Sequence, residues 1–128
     1  MNKQQRIEIS NAFSDVDFSS DHIATLETEG SREEYVKELE TLKETLESIR
    51  DDEQEKFDNM PEGLQVSERG QTLENNVSEL DSVITDIETA ISSVRDEYPA
   101  KPDESNVDEW AIAIADGIET AESTAESL

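Results

Sequence analysis

Apolar residues recur through the middle of the chain in steps of four and three. Between Ser31 and Asp58, Tyr35, Leu39, Leu42, Leu46, Ile49 and Phe57 fall on one stripe, with a single polar interruption at Glu53. Between Ser67 and Val94, Leu73, Val77, Leu80, Ile84, Ile87, Ile91 and Val94 keep the same alternation without a break. That spacing is the a/d seam of coiled-coil-like helices. Only Asn59 to Val66 separates the two arms, and so short a connection folds them back on each other as an antiparallel αα-hairpin.

The punctuation fits this reading. Ser31 with Glu34 has the pattern of a capping box at the start of the first arm. Pro61 stops that arm, because the residue before a proline is pushed out of helical geometry, and Gly63 is expected to supply a turn conformation that other residues resist. Ser67 is placed to cap the second arm. Met60, Leu64 and Val66 are expected to plug the open end of the hairpin, the other reading being an exposed apolar tip.

Val83 and Ala90 lie beside the second seam and widen it, which leaves room for a third helix. Pro99 and Pro102 end the hairpin. After them Ser105 and Asp108 repeat the cap pattern, and Val107, Trp110, Ala111, Ile114, Ile118, Ala121, Ala125 and Leu128 make a further apolar stripe. Ile112 lies off that stripe and hints at a second contact. Residues 1 to 30 are less regular. Ile9, Phe13 and Val16 suit one face of a helix, whereas Ile7 with Ile9 and Val16 with Phe18 suit a strand. A short helix from Lys3 to Ser14 is expected, then a loop to Asp21. The predicted fold is all-α: a helical hairpin over residues 31–98, a C-terminal helix within 99–128 packed on it, and an N-terminal segment, 1–30, of helix and loop.

Composition changes the picture in one respect. The chain has 128 residues, of which 33% are apolar and 5% aromatic. A two-residue-wide seam buries little area per residue, so the third helix or self-association has to complete the core. A homo-oligomer is therefore among the expectations.

Charge is the strongest compositional signal. There are 34 acidic and 10 basic residues, a net charge of -24. The excess is spread over all segments, so it belongs to the whole surface. Such a field repels nucleic acid and anionic membrane and attracts basic surfaces, including those that hold DNA or RNA. The distribution ends asymmetrically, since no lysine or arginine follows Lys101. Glu104, Asp108, Glu109, Asp116, Glu119, Glu122 and Glu126 on the C-terminal helix are thus uncompensated. Acids three or four positions apart on a helix stand about 5 to 6 Å from one another. That is of the order of the spacing along a nucleic-acid strand, where the rise is about 3.4 Å per nucleotide. These seven acids are the candidate partner-binding residues, together with Trp110, which is also expected to anchor the helix to the hairpin.

Catalytic and metal readings do poorly. There is no cysteine, which excludes disulfides and thiolate zinc sites. Asp15, Asp17, Ser19 and Asp21 alternate like the first half of an EF-hand loop, but Ser20 stands where that loop needs glycine and Leu26 where it needs its bidentate glutamate. His22 is the one histidine and has no partner visible in the sequence. The cluster Asp51, Asp52, Glu53, Glu55 diverges, because consecutive helical residues point about 100° apart. No glycine-rich phosphate loop is present. No catalytic residue, metal site or cofactor is expected, and no apolar run suggests a membrane span, so the cytoplasm is the expected compartment.

The run from Asp52 to Gln71, DEQEKFDNMPEGLQVSERGQ, resembles the signature of small acidic proteins encoded by bacteriophages and prophages, in which two helices flank a DNMPEGLQ-type loop. The similarity spans about Glu38 to Val94. It implies a phage origin, a helical hairpin and residence in an infected bacterium, and it carries over no catalytic residue. The longer N-terminal segment and the region after Tyr98 depart from it. Charge and resemblance together lead to the expectation of an acidic, non-enzymatic binding protein. It would inhibit a basic host protein, of defence or nucleic-acid handling, as a DNA mimic. The competing expectation is a coiled-coil adapter or oligomeric scaffold whose seam makes the partner contact.

Overall fold

The computed structural model describes residues 1–128 and contains six helices and no strand: α1 (Lys3–Ser14), α2 (Ser20–Ile23), α3 (Glu29–Asp58), α4 (Glu62–Gln65), α5 (Glu68–Asp96) and α6 (Glu104–Glu126). Facing residues of α3 and α5 run in opposite order along the chain. Glu33 meets Arg95, Lys43 meets Glu88, Arg50 meets Asp81 and Glu53 meets Asn76. The two long helices are therefore the antiparallel hairpin, and α6 packs on it.

The N-terminal segment adds a fourth wall. The Lys3–Ser14 helix forms over the expected residues, capped by Asn2, whose side chain accepts from the Gln5 N–H at 2.8 Å. It lies antiparallel to α3, since Gln5 hydrogen-bonds Asp52 at one end and the Tyr35 hydroxyl donates to the Asp17 carbonyl at 2.9 Å beyond the other. Arg6 also reaches the Leu128 carbonyl, which ties α1 to the end of α6. One continuous apolar core joins all the long elements. It runs from Ile9 and Phe13 through Leu39, Leu46, Ile84 and Ile87 to Ile114, Ile118 and Ala121. Val83 and Ala90 are buried, so the widened face of α5 receives α6 as the pattern implied.

Several boundaries differ from the sequence expectation. The first long helix begins two residues early, at Glu29, because Thr28 rather than Ser31 is its cap and accepts from the Ser31 N–H at 3.0 Å. Asp103, not Ser105, caps α6, in a reciprocal pair with Asn106. The Ser14–Asp21 loop is interrupted by the start of α2. Near the tip the seam gives way, with Phe57 and Val77 only half-buried.

In their place a polar layer closes the core. Glu53, the apparent skip in the heptads, is fully buried, and it accepts from the Asn76 amide at 3.1 Å and Lys56 at 3.1 Å, with the Met1 amino group at 3.4 Å. Burial alone raises the pKa of this carboxyl. The Asn76 and Lys56 hydrogen bonds and the neighbouring positive charges outweigh burial, and the net shift is downward. Glu53 is thus a structural carboxylate of the bundle.

The tip also departs from expectation. Met60 is half-buried, but Leu64 is 52% and Val66 75% exposed, so these side chains do not plug the hairpin. Gly63 sits in α4 with ordinary helical geometry, and no glycine of the chain has positive φ. The glycine that matters is Gly70. A Cβ there would lie 2.2 Å from the Gln65 carbonyl oxygen and 2.6 Å from that of Leu64. The absent side chain lets the turn fold down onto α5, while the Gln65 amide donates to the Phe57 carbonyl at 3.0 Å.

Candidate functional site

Seven acids and no cation lie on α6, over 23 residues. At 100° per residue, Glu104, Asp108, Glu119, Glu122 and Glu126 fall within a stripe about 60° wide, and Glu109 and Asp116 stand about 60 to 80° beyond it. All seven are exposed except Glu122, which is half-buried. No carboxylate of α6 comes within 4.0 Å of a lysine, arginine or histidine nitrogen. Arg6 of α1, which reaches the C-terminal end of α6, is directed to the Leu128 carbonyl. Burial and the adjacent Glu126 and Glu119 raise the pKa of Glu122 above the ordinary glutamate value. Burial is the larger cause, and the like charges of the neighbouring glutamates add to it.

On the hairpin, by contrast, some of the acids are paired. Lys43 pairs with Glu88 at 3.4 Å, Arg50 with Asp51 and Asp81 at 3.1 and 3.0 Å, and Arg95 with Glu33 and Glu40 at 3.0 and 3.6 Å. Three of the chain's ten cations therefore join α3 to α5. Arg32 donates to the Leu26 carbonyl at 3.0 Å and lies 3.9 Å from the centre of the Tyr98 ring.

Trp110 is a correction to the predicted site. It is 8% exposed, its indole N–H donates to the Ser93 carbonyl at 2.8 Å, and its ring meets Tyr98 edge-on with centroids 5.0 Å apart. It anchors α6 to α5 and offers no surface to a partner.

The flank between α6 and the N-terminal segment holds two clefts that periodicity did not reveal. One, of about 530 Å³, has a floor of Val16, Phe18, Ile112 and Ala115. Its rim carries Asp17, Asp116 and Glu119. The other, of about 510 Å³, is floored by Ala24, Tyr98 and Val107 and rimmed by Glu27, Asp103, Glu104 and Asp108. Ser20 lines the first and Ala24 the second, so α2 divides them. Asp17 and Glu27 thus join the acids of α6, a placement that only the tertiary fold makes. Asp17 is held by both the N–H and the hydroxyl of Ser19, at 3.1 and 2.8 Å, and these bonds lower its pKa. Its bonds fix its orientation at the rim and show no ligand sphere. No three acidic or histidine side chains converge as a metal site. No helix is long and apolar enough to cross a membrane.

No protein-family model matches the chain, and no curated protein or solved structure is similar to it.

Proposed function

We propose that this protein is an acidic, non-enzymatic inhibitor that occupies the nucleic-acid-binding surface of a basic protein, acting as a DNA mimic. The observation that carries the reading is the complete absence of ion-pair partners for the seven acids of α6, on a helix rigidly seated in the core. None of the chain's ten lysines and arginines lies on α6 or pairs with it, and the cations that bridge helices serve α3 and α5. At 1.5 Å per residue α6 is about 34 Å long. One turn of duplex DNA is about 34 to 36 Å.

The resemblance of residues 52–71 supports a phage origin. On that reading the target is a host defence or nucleic-acid-handling protein in the cytoplasm of the infected bacterium. The adapter alternative loses support from the packing. Its premise is a free seam, and Leu39, Leu42, Leu46, Leu80, Ile84 and Ile87 are all buried within the chain.

The test has two stages. Immobilised protein is presented to bacterial lysate, and what it retains is eluted along a salt gradient, where a DNA-mimic contact weakens steeply as ionic strength rises. The retained protein is then bound to labelled duplex DNA and challenged with this protein in a mobility assay. Displacement of the DNA at near-stoichiometric amounts, lost when the α6 acids are neutralised, is the expected result. Capture of a partner that keeps its DNA would defeat mimicry.

A further inference from the structure

We infer that the cleft between α6 and the α1–α2 turn is a docking groove for a basic amphipathic segment of the partner protein. It seats one apolar side chain on Ile112 while lysines or arginines one turn to either side meet Asp17, Asp116 and Glu119. The inference rests on the reading above and deepens it, because it adds an apolar anchor to a contact otherwise made by charge.

Ile112 carries the case. It is 49% exposed in the gap that Asp108 and Glu119 leave in the acidic stripe. Phe18 and Ala115 extend the apolar floor around it, and both are half-buried. Phe18 is held edge-on against the buried Phe13, with centroids 6.5 Å apart, so the floor is backed by the core. The side chains of Asp116 and Glu119 make no ion pair, so their carboxylates are free to receive donors. An apolar centre ringed by accessible acids suits a segment with the inverse pattern.

Charge also selects among occupants. A second copy of this chain would bring another body of net charge -24 against the same rim. A nucleic acid would do the same with phosphates. A basic polypeptide alone satisfies both the floor and the rim.

The experiment uses the full chain and a fluorescein-labelled 14-residue amphipathic peptide with a central Leu flanked one turn away by Arg and Lys. A twin of equal charge has Ser in place of the central Leu. By anisotropy, the Leu peptide should bind about tenfold or more tighter than its twin, the magnitude expected for burying one aliphatic side chain. Ile112→Ser should reduce that preference to less than about twofold and leave the twin's affinity unchanged. Asp116→Asn with Glu119→Gln should weaken both peptides and flatten their salt dependence. In a methyl-labelled sample the Ile112 resonance should shift on adding the Leu peptide. That of Ile7, 42% exposed on α1, should not. Equal, salt-sensitive binding of the twins would overturn the groove and leave the acidic-surface reading standing, which the DNA displacement assay judges separately. A Leu preference that survives Ile112→Ser, or no binding of either peptide at low salt, would overturn it as well.

Discussion

The hairpin and the C-terminal helix meet the same problem, an excess of carboxylates, in opposite ways. Along α3 and α5 the acids are interleaved with seven lysines and arginines, and three of these bridge the two helices through Lys43–Glu88, Arg50–Asp81 and Arg95–Glu33. On α6 the acids have no such partners, and the helix is held by apolar contacts, by Trp110 and by its Asp103 cap. The difference teaches that negative charge is handled in two ways in one small bundle. On the hairpin part of it is paired with cations across the two helices. On α6 it is left unneutralised at the cost of self-repulsion, a surface to which the proposed function assigns cations from a partner.

Breaking the anchor of α6 should have the largest effect. Trp110→Ala is expected to destabilise the protein by about 3 to 5 kcal/mol in urea denaturation, from lost burial and a cavity between α5 and α6. Trp110→Phe, which keeps most of the apolar contact but removes the bond to Ser93, should cost only about 1 kcal/mol.

Next comes the buried carboxylate of the hairpin. Glu53→Ala leaves Asn76 without its partner and Lys56 with a weaker one, and should cost about 3 kcal/mol by the same measurement. Its pH dependence separates the two regions. The folded-state pKa of Glu53 lies below the ordinary 4.5, so its contribution is present above that value and is lost as pH falls through the lower folded one. Glu122 is raised above 4.5, so protonation in the folded state relieves α6 as pH falls through that higher value, before Glu53 is affected. Thermal melts should therefore show a slight gain in stability on mild acidification and a loss at lower pH. Glu122→Gln should remove the first limb and Glu53→Gln should diminish the second.

Gly70→Ala tests how the hairpin is closed. The added methyl meets backbone carbonyls of Gln65 and Leu64 that cannot swing away, and a cost of about 1 to 3 kcal/mol is expected. Gly63→Ala, which meets nothing within 4 Å, should be neutral or slightly stabilising. The smallest effect should come from the bridges themselves. Arg95→Gln should lower stability only slightly, by an amount that shrinks in high salt, since its contacts with Glu33 and Glu40 are exposed.

Much of this architecture was legible because it is periodic. The steps of four and three in Leu39, Leu42, Leu46 and in Leu80, Ile84, Ile87 specify amphipathic helices, and the brevity of residues 59–66 makes them antiparallel. What escaped was whatever depends on chain segments meeting in space. Glu53 reads as a flaw in the seam until Asn76 and Lys56 are seen around it. Gly63 attracts attention because it sits in the turn, but the close approach that needs a glycine falls on Gly70, within a helix. The acids of α6 could be named from composition, yet Asp17 and Glu27 join them only through the packing of α2 and its flanking turns against α6. Trp110 was ambiguous in one dimension, because a lone tryptophan on an apolar stripe serves equally as an anchor or as a contact until its burial is known. Ile112 was visible as an outlier, though its acidic surroundings were not.

The most direct measurement of whether the charge on α6 is placed for binding compares two variants of equal net charge. In one, the seven acids of α6 become Gln or Asn. In the other, Glu34, Glu38, Glu44, Glu47, Glu55, Glu74 and Glu79 on the hairpin become Gln, none of which makes an ion pair. Each variant carries seven fewer negative charges, taking the net from -24 to -17. Affinity for the basic protein retained from lysate is then measured across a range of salt concentrations. The α6 variant should lose binding and most of its salt dependence, while the hairpin variant stays near the parent protein. Equal losses in the two variants would mean that bulk charge, and not the surface of α6, accounts for the interaction.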